Sequence, residues 1–505
     1  MATVNPHTKK LGQIFTPSEI VERVLDEAGF TEHTFTADTT IFEPSFGTGA
    51  FLNTIITRIL NWGNIHHHTP ETVTRIIDTT VRGIEYDPEL YSATVHQLKK
   101  RIREETGHTA HLPYLTCGDT LDFSGENLFD YVAGNPPYVR IHNMPADMRT
   151  KVKKYAHTTG TTDLYIVFYE LGLHWLKPGG TLAYIAPNSW MRNTSQRKFR
   201  EHLIRTRALT KIVNYGTRVM FPDAATYTCI TVLKKFSPPP PADTAHPVTL
   251  TLEENPHRQH TTTVPYTQLD RNPSDPLYTM SPAQQRTFNR LHTTPIRTLG
   301  DMCTIQNGLA TLGDKYFICD TETAAAHRLE TEHLLPVVKS SRYRGERPRN
   351  KIIFPYRLNS GTGRVVGVTE TELAQSAPNI YTYLLQHRAN LSGRSLDKGA
   401  LWFWYGRSQA LQATFTEKLV FSPIVGPDQK HVTAYIVPAG TQVYSGLFAT
   451  VTPPGSGEGN FSLPAIKKIV ESENFCEYIK IVGKNMNGGY SSMNSRMVNS
   501  YPICP

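Results

Sequence analysis

The chain has 505 residues, more than one hydrophobic core usually serves, so two large domains are expected. Its formal charge of +8 favours a polyanionic partner. Six scattered cysteines (Cys117, Cys229, Cys303, Cys319, Cys476, Cys504) form no C-x-x-C pair, which argues against zinc and a disulfide framework. With no apolar signal core at the N-terminus and no run of about 18 apolar residues, a cytoplasmic protein is expected.

From Thr16 to about Phe236, helical periodicity alternates with short apolar runs that end in turn residues, the pattern of a mostly parallel sheet wrapped by helices. The first helix lies in TPSEIVERVLDEAG, with Thr16 as N-cap, Pro17 at the first helical position, Glu19 closing a capping box and Gly29 as the stop. The strand in TTIFEP leads into FEPSFGTGAF, which puts Glu43 at the strand end and Ser45, Gly47 and Gly49 in a turn before an apolar helix. Glycines there let a ligand approach the backbone and permit positive φ.

The strand in TVRGIEYD ends with Glu85 and Asp87, where one carboxylate can accept both hydroxyls of a ribose. A dinucleotide fold wants its acid about 20 residues beyond the glycines, and a Walker A loop wants Gly-Lys-Ser/Thr; this sequence has neither. A third strand end, TCGDTLDF, offers Asp119 to an adenine amino group. Acids at three successive strand ends are harder to dismiss than any one of them.

FDYVAGNPPYVR is the most informative stretch. Its apolar run is halted by Asn135, Pro136, Pro137 and Tyr138, which fix φ twice, remove two backbone donors and leave carbonyls free to accept. An exocyclic amino group on a base is a poor nucleophile because its lone pair enters the ring. If the Asn135 side-chain oxygen and the Pro136 carbonyl accept its two hydrogens, the nitrogen is held nearer to tetrahedral, and Tyr138 can stack on the base. An amino group inside duplex DNA is out of reach, so the base must be flipped out.

Strands follow in TLAYIAP, LTKIVNYG and ATYTCITVLKK, the last with the alternation of an edge or antiparallel strand. The proline-rich segment at 237–247 reads as a loop or linker. Domains are expected at 1–284 and 285–505. In the second, Arg342, Arg344, Arg347, Arg349 and Lys351 are interleaved with Tyr343, Phe354 and Tyr356, a mixture suited to phosphate contacts and groove insertion. The aromatics of LWFWYGRSQ read as a core strand. The polar run KNMNGGYSSMNSR, with Lys484, Asn485, Asn487, Tyr490, Asn494 and Arg496, suits base-edge contacts. His66 to His68 lack acidic or cysteine companions at metal spacing.

TPSEIVERV, FEPSFGTGAF, GIEYDP, GDTLDF and GNPPYV, in this order, resemble the conserved blocks of gamma-class amino-methyltransferases of the TaqI and Eco57I type, over roughly residues 11 to 236. The resemblance implies a Rossmann-like α/β domain that uses S-adenosylmethionine, followed by a mixed α/β target-recognition domain. It implies that Thr16 and the loop from Glu43 through Ser45, Gly47 and Gly49 bind the methionine moiety, Glu85 the ribose, and Asp119 the cofactor adenine. Asn135, which borders the cofactor, acts with Pro136, Pro137 and Tyr138 on the target base, and Phe221 is the second aromatic on it. Thr120 departs from the pattern, in which an apolar or aromatic residue often follows the acid. The C-terminal half is similar to the family's DNA-recognition domain, with Arg342, Arg344, Lys351, Lys484, Asn485, Tyr490 and Arg496 as candidate DNA contacts.

The implied activity is methylation of adenine N6 in a specific double-stranded sequence, as the modification enzyme of a bacterial or archaeal restriction-modification system, acting on the nucleoid. A cognate endonuclease is then expected as a separate protein, because too few residues precede Thr16 to form a nuclease domain; neither metal nor membrane is expected. The rivals are an N4-cytosine methyltransferase, which more often has serine where Asn135 stands, a protein-glutamine methyltransferase, which lacks the helix ahead of the glycine loop and a long C-terminal domain, and a non-catalytic DNA-binding subunit, against which the intact Asn135–Tyr138 corner speaks.

Overall fold

The computed structural model describes residues 16–155, 163–221, 226–293, 295–451 and 461–503; Cys504, named above, lies outside them. The chain divides into two compact units, Met1–Ser281 and Pro282–Pro505.

The first unit is built on one nine-stranded sheet. Its strands are β1 (Ile41–Glu43), β2 (Val81–Glu85), β3 (Leu115–Cys117), β4 (Phe129–Gly134), β5 (Leu176–Pro187), β6 (Leu209–Asn214), β7 (Thr228–Lys234), β8 (Val248–Asn255) and β9 (Arg258–Val264). Their spatial order is β3-β2-β1-β4-β5-β7-β6-β8-β9. The pairs from β3 across to β5 are parallel, and β7 runs antiparallel to both β5 and β6. The order reverses between β1 and β4, and the crevice outside the carboxyl ends of strands at such a point is where doubly wound folds bind ligands.

The helices are α1 (Ser18–Ala28), α2 (Ala50–Ile65), α3 (Pro70–Thr80), α4 (Pro88–Thr106), α5 (Ala146–Val152), α6 (Leu164–Trp175) and α7 (Arg197–Arg205). Alternate strand residues feed two cores, one on each face. Ile41, Ala133 and Ile185 join the buried face of α1 and α2, while Phe42, Val132 and Tyr184 join that of α6 and α7. The α1 stripe of Ile20, Val21, Val24, Leu25 and Ala28 is buried as its periodicity predicts, and Gly29 ends the helix at φ 75°.

Two expectations change. The capping box does not form: Pro17 occupies the cap position and the helix start receives no side-chain hydrogen bond. Antiparallel β7 is interior, buried from Thr228 to Leu233, and not an edge. The proline-rich segment is a loop inside the unit, because β8 and β9 extend the sheet beyond it and β9 forms the edge.

The second unit is mixed α/β. One four-stranded sheet joins Thr304–Asn307, Leu447–Thr450, Lys418–Phe421 and Ala434–Val437. Another joins Ile318–Cys319, Asn350–Ile353, Leu334–Lys339 and Gln442–Tyr444, and a small sheet joins Ile424–Val425, Ser491–Ser492 and Lys484–Asn485. Phe403 and Tyr405 are buried in this unit's core, with Trp402 and Trp404 packed against it. Phe354 and Tyr356 share that core and are not free for groove insertion, a correction to the reading of the basic segment. Phe354 directly follows the strand Asn350–Ile353 and Tyr356 opens the strand Tyr356–Asn359, so core packing claims both.

Candidate active site

Glu43 and Glu85 end neighbouring parallel strands, and both are buried, at 2% and 3% exposure. Burial pushes both carboxyls above the usual carboxylate range. For Glu43 the nearby Glu85 charge adds to the shift, whereas Glu85 is partly compensated by backbone donors. Its two oxygens accept from the N–H of Gly47 (2.8 Å) and of Asp87 (2.9 Å). Oε2 of Glu43 is buried without a partner among the described residues.

The glycine loop owes its path to two left-handed residues, Gly47 at φ 53° and Gly49 at φ 76°. A Cβ on Gly49 would stand 2.7 Å from Thr94 Cγ2, so α4 and the loop meet only because glycine is there. Thr94 also donates to the Gly47 carbonyl (2.8 Å).

Asp119 caps a short 3-10 turn, accepting from the Leu121 N–H (3.0 Å), and its other oxygen pairs with Lys151 of α5 (2.8 Å). Lys151 also pairs with Asp122 (2.6 Å), and the two carboxylates raise its pKa. No local pattern singles out Lys151. Thr120 is buried and donates to the Pro44 carbonyl, tying the turn after β3 to the start of the glycine loop. That tie accounts for a hydroxyl where the family pattern has an apolar residue.

Asn135 follows β4 directly. Its side-chain nitrogen donates to Thr16 Oγ1 (3.0 Å), so the hydroxyl expected to cap α1 instead orients the amide. Its side-chain oxygen is buried and has no partner among the described residues, and its backbone carbonyl accepts from Ser45 Oγ (3.4 Å). Pro136 is buried and Pro137 half-buried. The Tyr138 hydroxyl donates to the Ile185 carbonyl (3.2 Å), and its ring meets Tyr165 edge to face with centroids 6.3 Å apart. Burial raises its phenol well above the usual range.

Thr16, Ser45 and Asn135 are thus brought together by hydrogen bonds, as are Gly47 and Glu85. Two buried acceptors, Glu43 Oε2 and Asn135 Oδ1, remain open at the carboxyl ends of adjacent β1 and β4, and buried polar atoms are rarely left so. Glu43 Oε2 suits an occupant with positive charge, and Asn135 Oδ1 suits one with an N–H to donate. Phe221 differs from expectation: its ring is 1% exposed, packed in the core of α1 and α2, and stacking on a base requires it to be uncovered.

Residues 55–221 match the Eco57I restriction-modification methylase family. Among curated relatives, the chain is 29% identical to the type II methyltransferase M.PaeR7I of Pseudomonas aeruginosa, over 78% of this chain and 70% of that protein. It is 30% identical to M.XhoI of Xanthomonas vasicola, over 45% of this chain and 43% of that protein. A match at 22% identity to the type II restriction enzyme and methyltransferase RM.Eco57I of Escherichia coli covers 74% of this chain and 40% of its length. Apart from M.PaeR7I, the chain spans less than half of these relatives. In fold it is similar to the type IIL restriction-modification enzyme MmeI, solved with DNA, with a TM-score of 0.58 at 12% identity over 96% of this chain and 64% of that one.

The candidate DNA contacts of the second unit fall in two places. Arg342 and Arg344 are exposed in the loop after the strand Leu334–Lys339, and Arg344 folds back on the Ser341 and Tyr343 carbonyls. Lys351 is half-buried in the strand Asn350–Ile353. Lys484, Tyr490 and Arg496 are exposed and Asn485 half-buried, along the hairpin of the small sheet and the turn after it. Asn494 caps the helix Ser495–Asn499, accepting from Met497, so its oxygen is engaged within the chain.

Among the described residues no group of His, Cys, Asp and Glu is arranged to hold a metal, and no helix is long and apolar enough to cross a membrane. His68 stacks on Trp62 with centroids 4.6 Å apart.

Proposed function

We propose that this protein methylates the N6 amino group of adenine in a specific double-stranded DNA sequence, using S-adenosylmethionine, as the modification enzyme of a restriction-modification system. The observation that carries the reading is Asn135, whose nitrogen is anchored on Thr16 while its buried oxygen has no partner. The methylase family and the type II methyltransferase relatives support the reaction class.

S-adenosylmethionine supplies an electrophilic methyl group on sulfur. Glu85 would hold its ribose, the loop from Glu43 to Gly49 with Thr16 its methionine moiety, and Asp119 its adenine. The Glu43 carboxyl, buried and without a partner for one oxygen, favours a cationic occupant.

Asn135 Oδ1 accepts one hydrogen of the target amino group and the Pro136 carbonyl the other. That pull would localise the lone pair on the nitrogen, which would take the methyl group as its bond to sulfur breaks, and the displaced amino proton would pass to water. No strong base is needed, because positioning and preorganised acceptors carry the step. Tyr138, fixed by the Ile185 carbonyl and Tyr165, provides the flat face for the flipped base, partly offsetting an extrusion cost of a few kcal/mol. The second unit would select the sequence.

The test is transfer of labelled methyl to unmethylated DNA. Asn135→Ala should lower the rate at least about 100-fold, as for loss of an acceptor preorganised for the transition state, with cofactor affinity within about threefold of wild type. Full activity in that variant overturns the mechanism.

A further inference from the structure

The second unit contains an open cleft of about 410 Å³ that the sequence did not announce. Backbone hydrogen bonds tie its lining together. The Gly308 N–H donates to the Gly446 carbonyl (2.8 Å), and the Leu309 N–H to the Val443 carbonyl (2.7 Å). Neither glycine can be replaced without a shift, since a Cβ on Gly308 would lie 2.5 Å from the Val443 oxygen and one on Gly446 would lie 1.4 Å from Ser340 Oγ. Leu309, Leu447 and Met493 make the walls apolar, and two exposed amides, Asn307 and Gln409, stand among the lining residues.

Gln409 donates to the Gly308 carbonyl (2.7 Å), which fixes its amide and leaves its oxygen available. Asn307 ends the strand Thr304–Asn307, and its side chain makes no hydrogen bond among the described residues. Chain segments that join the cleft's lining carry exposed cations. Ser445 in its lining accepts from Ser340, two residues before exposed Arg342, and Met493 directly follows the hairpin of Lys484–Asn485 and Ser491–Ser492. Two segments with exposed cations, far apart in sequence, therefore each connect to the lining of one cleft.

Asn and Gln pair through both amide groups with adenine N6 and N7 in the major groove, and apolar atoms meet the thymine methyl. We propose that this cleft reads an adenine-thymine pair of the recognition sequence, with Asn307 and Gln409 as the specificity-determining amides and the flanking cations on phosphates. The proposal rests on the DNA-methylation reading above and adds which residues read sequence and which base pair they read.

The experiment uses the full chain and plasmid DNA from a host without DNA methyltransferases, with S-adenosylmethionine, and maps modified bases by single-molecule sequencing. Wild type should modify one motif that contains an A·T pair besides the modified base. Asn307→Ala should accept other pairs at one such position and lose about 10- to 100-fold in rate on the wild-type motif. Because the Asn307 side chain makes no hydrogen bond among the described residues, the Tm and cofactor affinity of this variant should stay at wild-type values. Asn307→Asp, which keeps the shape and can only accept, should shift preference toward C·G at the same position. Gln409→Met should relax the same or the adjacent pair. Retention of the wild-type motif at the wild-type rate by the Asn307 and Gln409 variants overturns this assignment and leaves the methylation reading standing. Wild-type protein that modifies no DNA overturns that reading, and this one with it.

Discussion

Asn135, Glu43 and Glu85 show how much of the site rests on single side chains. Glu85 is held ready by two backbone donors, so Glu85→Ala should weaken S-adenosylmethionine binding by about 10-fold or more in calorimetry, the scale of losing charge-assisted hydrogen bonds. Glu43 carries a stability signature with a definite sign. Its folded pKa lies above the unfolded value near 4.5, so the folded state gains from the neutral carboxyl below that pH and loses stability as pH rises toward the folded value. Without ligand, Glu43→Gln should raise Tm by about 2–4 °C at pH 7, with the gain shrinking toward pH 4. A Tm gap that is constant with pH would mean that the carboxyl does not titrate this way.

These acids were legible because each interrupts an apolar run at a strand end. The role of Thr16 was legible only in part. Its spacing matched a capping box, but the chain enters α1 through Pro17, and the freed hydroxyl reaches Asn135, which is 119 positions away in sequence. No local pattern announces such a pair. Phe221 was misjudged for a related reason: a Phe-Pro after a strand suits an exposed lid or a core ring equally, and only the packing of α1 and α2 decides.

At the scale of elements, the site depends on loops tied to one another. Thr120 links the turn after β3 to Pro44 of the glycine loop from a buried position. Thr120→Val keeps the volume and leaves the Pro44 carbonyl without its donor, so a loss of about 1–3 kcal/mol is expected in denaturant unfolding, with weaker cofactor binding. Unchanged stability and affinity would show that the tie is dispensable. The strands β1 to β7 were readable from apolar runs and turns, whereas β8 and β9 were not, because they lie beyond prolines that suggested an ending. Their role as the sheet's last two strands follows from tertiary pairing of β8 with β6, which sequence patterns do not encode.

For the whole molecule, the positive charge is the property that composition made visible from the start. If Arg342, Lys351, Lys484 and Arg496 each neutralise a phosphate, the logarithm of DNA affinity should fall with the logarithm of salt at a slope of roughly −3 to −4. Paired alanine substitutions of Arg342 and Lys484 should flatten that slope by about 2, and a slope that does not move would remove these residues from the interface. The account's central claim is that the Asn135 corner activates an adenine amino group, and nucleoside mass spectrometry of DNA treated with the protein and labelled S-adenosylmethionine tests it most directly. The account predicts label in N6-methyladenine with wild type and none with Asn135→Ala; label in N4-methylcytosine or in polypeptide alone would contradict it.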